Sequence, residues 1–147
     1  MQFAFKPHPL LKQKLYATNS WGKERTDDYY EYWEKLSNGQ IETGQYIDLF
    51  YFSNAMIMDS ASFIVKYLYF DKPLCFTMQD NNVKDRFNSF GRMVFDYLYT
   101  AEFEKEIIYF IDNIVINEND YLRKNKNNFL KDVILPRNGK TASENIV

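Results

Sequence analysis

The sequence predicts an α/β fold with a parallel sheet, and one stretch carries the prediction. Residues 55–58 and 74–78 are short, unbroken apolar runs, which is typical of parallel strands covered on both faces. Between them, apolar side chains recur at helical spacing: Phe63, Ile64, Tyr67 and Leu68. The run Asp71-Lys72-Pro73 is expected to end this helix, because proline cannot continue it and restricts the residue before it. Two strands joined by one crossover helix make a βαβ unit.

The turn between the first strand and its helix is the main candidate site. Asp59, Ser60 and Ser62 lie where the carboxyl end of a strand meets the start of a helix. Free backbone N–H groups and the helix dipole favour an anion such as phosphate at that place. Aspartate and serine are also ordinary helix caps that need no ligand. The residues alone leave both interpretations open.

The chain opens on a second candidate. Residues 1–6 are strand-like and run directly into Pro7-His8-Pro9, after which residues 10–17 can form a helical turn or two. A strand at the first residue leads us to expect a piece of a larger protein. His8, the single histidine, is mounted between two prolines that fix the backbone. Such a histidine can be merely exposed, or it can stabilise charge on a leaving group or relay a proton beside a phosphate.

Residues 26–52 are predicted to hold two helices and a small strand. Thr26 is expected to cap the first helix, with Asp27 and Asp28 in its first turn. Its apolar stripe is predicted to be Tyr29, Tyr32, Trp33 and Leu36. We expect Asn38-Gly39 to end this helix, a short strand near Ile41, and a short helix over residues 46–52. The tyrosine cluster is expected in the core or at a subunit contact.

After the βαβ unit, the pattern becomes more polar. Residues 79–88 form an Asn- and Asp-rich loop at the carboxyl end of the second strand, where ligand loops collect in open α/β sheets. Residues 90–99 fit either a helix or a strand. Residues 102–116 predict an amphipathic helix, and residues 117–131 a solvated one. The inward positions are predicted to be Phe103, Ile107, Phe110, Ile111, Ile114 and Val115 in the former, and Leu122, Phe129 and Leu130 in the latter.

The C-terminal run 139–143 is a third candidate. Gly139 predicts a turn, Lys140 supplies a cation, and Thr141 and Ser143 bring hydroxyls to a helix start. Thr141 and Glu144 also match a capping box, and the spacing is not that of a Walker motif. A phosphate contact and a plain capped helix are therefore both open from the pattern.

Composition narrows the class of protein. At 147 residues the chain is predicted to be a single domain, residues 1–147, and its 13 Phe, 12 Tyr and 2 Trp indicate an aromatic core or interface. A net charge of −2 gives no basic field, so we expect no nucleic-acid partner. The single cysteine, Cys75, lies in an apolar strand, which favours a buried thiol and a reducing cytoplasm. No apolar run reaches the length of a membrane-spanning helix, and we see no metal-ligand cluster and no signal peptide.

Three stretches, in order, resemble the C-terminal half of the bacterial CDP-glycerol glycerophosphotransferase family, which builds teichoic-acid-like polymers of the cell surface. They are Phe5-Lys6-Pro7-His8-Pro9, residues 48–73 with Met58-Asp59-Ser60-Ala61-Ser62 and Asp71-Lys72-Pro73, and Asn138-Gly139-Lys140-Thr141-Ala142-Ser143. The resemblance covers most of the chain. It implies one half of a GT-B glycosyltransferase-like fold, a Rossmann-like three-layer α/β/α domain that holds the nucleotide-activated donor.

The resemblance also implies roles and partners. His8 would stand at the donor phosphates as the catalytic residue. The donor would be held by Lys6, Asp59, Ser60, Ser62, Gly139, Lys140, Thr141 and Ser143. An acceptor hydroxyl would attack the phosphate next to glycerol and release CMP, with no cofactor or metal beyond the CDP-glycerol-like substrate. The acceptor-binding N-terminal half would be a partner, the full-length enzyme could attach to the membrane surface, and a homo-oligomer is open.

Two departures from the family pattern keep alternatives in view. Ala61 stands between Ser60 and Ser62, so one hydroxyl of the family's serine pair is gone and another is shifted. Lys66 replaces an acidic residue of the kind that binds the nucleotide ribose in GT-B folds. The alternatives are half of a UDP- or GDP-sugar glycosyltransferase or epimerase, and a non-catalytic Rossmann-like assembly module.

Overall fold

The computed structural model describes residues 1–80, 82–136, 138–140 and 143–146. The chain divides into two compact units, Met1–Leu49 and Phe50–Val147, and each is described by itself. Helix α3, Tyr46–Phe52, contains the boundary between them.

The first unit pairs two short strands beside two helices. Strand β1 spans Phe3–Phe5 and β2 spans Gly39–Ile41, and they are parallel, with Phe3 opposite Gly39 and Phe5 opposite Ile41. Helices α1, Leu11–Ala17, and α2, Gly22–Lys35, lie between them in the chain. The Phe5 ring stacks on Trp33 with ring centroids 5.1 Å apart, so the strand is held against α2 by aromatic contacts.

Helix α2 begins earlier than predicted, and this changes its buried face. Thr26 is not its cap: it lies in the second turn, fully buried, and its hydroxyl donates to the Gly22 carbonyl at 2.6 Å. The buried stripe therefore runs through Thr26 and Tyr30, while Tyr32, predicted to face inward, is 61% exposed. The predicted stop at Asn38-Gly39 is also wrong, because the helix ends at Lys35 and Gly39 already starts β2.

The second unit is built on a three-stranded parallel sheet. Strands β3, Met56–Met58, β4, Leu74–Thr77, and β5, Tyr99–Ala101, lie in the order β3-β4-β5. Met58 pairs with Phe76, and Phe76 with Thr100. Both strands of the predicted βαβ unit are confirmed, and the ambiguous residues 90–99 divide between helix and strand. The α/β fold is Rossmann-like, with parallel strands joined in order by helical crossovers.

The helices of this unit are short and several change pitch. A 3₁₀ turn, Ala61–Phe63, leads into α4, Ile64–Leu68. A second 3₁₀ turn, Val83–Arg86, precedes α5, Ser89–Val94, and a third, Phe95–Tyr97, follows it. Helix α6, Glu104–Tyr109, continues as a π-helix, Phe110–Ile116. Helix α7, Arg123–Phe129, continues likewise over Leu130–Ile134, and a last 3₁₀ turn spans Ser143–Asn145.

One cluster of the core of the second unit lies between the sheet and the α6 segment. Its buried members are Cys75, Tyr99, Ala101, Phe110 and Ile114. Ile107, Ile111 and Val115 pack against this cluster, as predicted for inward positions of the helix. Phe103 does not, since it precedes the first turn of α6 and is 59% exposed.

The link between α4 and β4 is held to the end of α3 by the side chain of Lys72. The helix ends at Leu68, one turn before the predicted stop, and Asp71 adopts a left-handed backbone with φ of 51°. Lys72 Nζ donates to the carbonyls of Phe50 at 2.8 Å and Tyr51 at 2.5 Å, at the end of α3.

Among the described residues, no helix combines the length and apolar character that crossing a membrane requires.

Candidate functional site

The carboxyl ends of β3 and β4 bring the first candidate residues together. The Thr77 hydroxyl donates to the Met58 carbonyl at 3.3 Å, so the two strands leave the sheet side by side. Asp59 and Gln79 then follow on neighbouring strands, and Gln79 Nε2 donates to Asp59 Oδ2 at 3.5 Å. Loops that leave a parallel sheet at this edge are the usual place for a ligand in α/β folds.

Ser60 forms the helix start that the sequence predicts. Its backbone is extended, with φ of −119° and ψ of 138°, and its Oγ accepts the Ser62 N–H at 3.4 Å. The two serine hydroxyls lie 3.4 Å apart, and both side chains are exposed. This is helix-cap geometry, and the following 3₁₀ turn and α4 are short, so the helix dipole there is weak. The two exposed hydroxyls can hydrogen-bond to a phosphate, but the helix cap is complete without a ligand.

Beside this turn lies a cleft of about 220 Å³. It is lined by Asp59, Ala61, Phe76, Gln79, Val83, Arg86 and Phe87. The apolar part of the lining is anchored in the core, because the Phe87 ring packs edge-on against Phe95 at 5.0 Å. Binding clefts for whole drug-sized ligands occupy about 300–1,000 Å³, so this cleft has room for part of such a ligand.

Arg86 is the residue of this cleft that sequence reasoning missed. It ends the 3₁₀ turn Val83–Arg86, and its guanidinium binds the Asp80 carboxylate. Asp80 Oδ1 in turn accepts the Asn82 N–H at 2.9 Å, which aligns the turn. The sequence did offer one signal for Arg86. Asp80 and Arg86, an opposite-charge pair six residues apart, both lie in the loop that was predicted to carry ligands. The cleft thus holds a guanidinium that is already paired with a carboxylate.

Lys6 and His8 lie in the first unit. Lys6 Nζ donates to the Gly44 carbonyl at 2.7 Å and to that of Glu42 at 3.4 Å, so it closes the loop after β2. His8 is exposed, and its Nδ1 accepts the Leu10 N–H at 3.1 Å. In the neutral imidazole this bond assigns the proton to Nε2. Lys6 therefore has a structural role in the described residues, whereas Nε2 of His8 points to no described partner.

The C-terminal candidates form a self-contained turn. Gly139 has φ of +67°, a left-handed backbone that favours glycine, which confirms the predicted glycine turn. The Lys140 N–H donates to Asn138 Oδ1 at 3.1 Å, and the side chain of Lys140 is exposed. Ser143 begins the last 3₁₀ turn, and Thr141, with its capping box, lies outside the described residues.

Cys75 has no role at an exposed site. It is fully buried in β4, and this burial raises the pKa of its thiol to about 12. A thiol with that pKa carries almost no thiolate at neutral pH, so it is a poor nucleophile. The prediction of a small buried hydrophobe is confirmed.

Comparison of the chain with protein-family models, with curated proteins and with solved structures gives no match. The resemblance carried by the three stretches therefore stays a prediction. A function is therefore proposed from that resemblance and from the geometry of the second unit.

Proposed function

We propose that this chain is the donor-binding half of a CDP-glycerol glycerophosphotransferase-like enzyme of bacterial cell-surface polymer synthesis. The observation that supports it is that Asp59, Ala61 and Arg86 line one cleft at the carboxyl edge of two parallel strands, with Ser60 between the first two in the chain. Hydroxyls, backbone N–H groups and a guanidinium at that edge are the groups that hold a diphosphate without a metal. The enzyme would then act by positioning and by positive electrostatics.

The charges that line the cleft suggest which part of the donor each side would bind. Two unit charges roughly 4 Å apart near a protein surface interact by about 4 kcal/mol, so a phosphate avoids the Asp59 carboxylate and prefers Arg86. We assign the diphosphate to Ser60, Ser62 and Arg86. Asp59 would accept a hydrogen bond from a ribose or glycerol hydroxyl. His8 lies in the unit Met1–Leu49, and its role rests on the family resemblance alone.

Calorimetric titration with CDP-glycerol and CMP tests the proposal. We expect both to bind, and Ser62→Ala and Arg86→Gln to weaken binding. Ser89→Ala removes an exposed serine at the start of α5 and should leave affinity unchanged. Unchanged affinity in both site variants would sink the assignment. The resemblance covers only the family's C-terminal half, so we expect no polymer synthesis by this chain alone, and turnover would defeat the fragment interpretation.

Lys66 favours a second candidate, a UDP- or GDP-sugar transferase or epimerase half. Its exposed ammonium lies 5.8 Å from the Phe63 ring centre, where the family would place an acidic ribose ligand. A different ribose contact would accompany a different nucleotide. Ranking CDP, UDP and GDP by thermal shift separates the two candidates, because the tightest ligand raises the melting temperature most.

The Arg86–Asp80 pair favours a third candidate, a non-catalytic assembly module. A guanidinium already neutralised by a carboxylate attracts phosphate less strongly than a free one. If no nucleotide shifts the melting temperature while the chain forms a stable oligomer, the assembly role replaces the donor-binding role.

A further inference from the structure

A second cleft in the unit 50–147 lies along β5, the strand at one end of the sheet. Its volume is about 380 Å³. Leu98, Tyr99 and Phe110 are buried and form its floor. The other lining residues are Asp96, Thr100, Glu106, Tyr109, Tyr121 and Leu122. The walls come from three separate segments, the end of the 3₁₀ turn before β5, helix α6 and the turn before α7.

The charged side chains of this lining are both carboxylates. Glu106 Oε2 accepts the N–H groups of Glu102 at 2.7 Å and Phe103 at 3.2 Å, and these bonds lower the pKa of Glu106, so it stays ionised at neutral pH. Asp96 is exposed, and no described residue binds its carboxylate. The lining therefore carries two negative charges and no lysine, arginine or histidine.

The nearby buried charges cancel one another. Lys126 is 2% exposed, and its Nζ donates to Asp120 Oδ2 at 3.2 Å. Asp120 Oδ1 accepts the Tyr99 hydroxyl at 2.8 Å. Lys126 thus neutralises Asp120. Outside the lining, the positive charge of Lys105 acts on Glu106 and helps to lower its pKa. The side chains that line the cleft carry negative charge only.

The cleft also presents aromatic rings to water. Tyr109 is 53% exposed and Tyr121 is 60% exposed, so both rings are accessible to a ligand in the cleft. The Tyr121 ring is held edge-on to Tyr99, with centroids 5.1 Å apart and planes at 84°. The face of an aromatic ring is the negative side of its quadrupole and attracts cations. Rings and carboxylates therefore favour the same sign of charge here.

We propose that this cleft binds a small organic cation with an ammonium head group, held between the Tyr109 and Tyr121 rings and the Asp96 and Glu106 carboxylates. Its volume lies in the usual range of small-molecule sites, about 300–1,000 Å³. An anion is disfavoured by the lining. Among the described residues, no group of three His, Cys, Asp or Glu side chains is arranged to hold a metal ion. This inference does not depend on the proposed function.

The test is an NMR titration of the full chain with tetramethylammonium, with neutral tert-butanol of similar size as the matched ligand. We expect shifts within residues 96–122 for the cation only. Asp96→Asn and Tyr121→Leu should each weaken binding by about threefold to tenfold, the effect of losing one charge or one ring contact. Both side chains are exposed, so the fold should survive. Methylammonium in place of tetramethylammonium shows whether the head group is held by hydrogen bonds or by ring contact alone.

Matched controls keep the result specific. Asp132→Asn and Tyr51→Leu remove an exposed carboxylate and an exposed tyrosine outside the cleft and should leave binding unchanged. Equal shifts with tert-butanol would replace the proposal by a plain apolar cleft. Equal affinity in the wild type, Asp96→Asn and Tyr121→Leu would overturn it, as would weakening of the same size in the control variants.

Discussion

Arg123 binds one oxygen of Asp71 with two nitrogens, Nε at 2.9 Å and Nη2 at 2.7 Å from Oδ2. The other oxygen, Oδ1, is buried without a hydrogen-bond partner in the described structure. Asp71 holds this contact from a left-handed backbone, with φ of 51°. The pair joins the link before β4 to the first turn of α7, and it does so at a residue where glycine would fit the backbone better.

Two substitutions at Asp71 should separate the contribution of the ion pair to stability from that of the left-handed backbone. We expect Asp71→Ala to lower the free energy of unfolding by about 1–2 kcal/mol, because alanine loses the pair and disfavours the left-handed region. Asp71→Gly also loses the pair but relieves the backbone, so it should cost less. Urea unfolding of both variants measures the difference. A glycine variant as unstable as the alanine variant would show that φ at this position is unimportant.

Lys126 should be a large contributor to stability. Its Nζ donates to the Lys72 carbonyl at 2.9 Å and to Asp120, whose side chain is 11% exposed. Lys126→Met leaves that carboxylate with the Tyr99 hydroxyl alone, and we expect a loss of about 3 kcal/mol. Lys124→Met, at an exposed position of the same helix, should change stability by less than about 0.5 kcal/mol. Denaturant unfolding of the two variants checks both values, and equal small losses would contradict the buried role.

Alkaline pH should destabilise the chain through Tyr67. Burial raises the pKa of Tyr67 from 10.0 to about 12, even though its hydroxyl lies 2.9 Å from Ser53 Oγ. The neutral form is thus favoured in the folded state, so its stabilisation is complete below pH 10.0 and is lost as the pH rises to about 12. Tyr67→Phe cannot ionise, and its stability should fall less steeply across this range. Urea unfolding at several pH values measures the slopes, and parallel curves would count against the shift.

Arg86 and Asp80 should change nucleotide binding in opposite directions. Arg86→Gln removes the guanidinium, and we expect CDP-glycerol affinity to fall about tenfold, as for the loss of one charged hydrogen bond. Asp80→Asn releases the guanidinium from its carboxylate and should strengthen binding. Lys84→Gln alters a cation on the same turn that lies 5.3 Å from the Phe95 ring centre and should have little effect. Calorimetry on all three tests the order; two losses of equal size would indicate damage to the turn instead.

Predictions from local pattern succeeded where a short stretch contains its own determinants. The apolar runs of β3 and β4 and the limits of α3 were predicted, because side-chain periodicity and proline act within a few residues. The start of α2 was not, because Thr26 is favoured as a cap in isolation but its hydroxyl is satisfied inside the helix. Phe103 fits an amphipathic pattern, yet the helix starts one residue after it.

The residues of the candidate site were likewise predicted only where local pattern determines them. Asp59, Ser60 and Ser62 were predicted from a strand-to-helix turn, and that local geometry is present. Arg86 was missed because its value depends on the cleft, which is lined by residues of two loops and a strand. Lys126 was missed because a lysine in a polar run predicts a solvated face, whereas its acceptors come from Asp120 and from Lys72, 54 residues away.

Residues 55–78 were sufficient to establish a parallel α/β unit with a polar turn, since strand, helix and turn preferences are encoded within a few neighbouring side chains. Tertiary packing alone selected which charges meet: Arg86 with Asp80, Arg123 with Asp71, and Lys126 with Asp120. It also assembled the acidic, tyrosine-lined cleft along β5 from segments that share no sequence pattern. Pairing depends on distance and burial in the folded chain, and neither can be read from the order of residues.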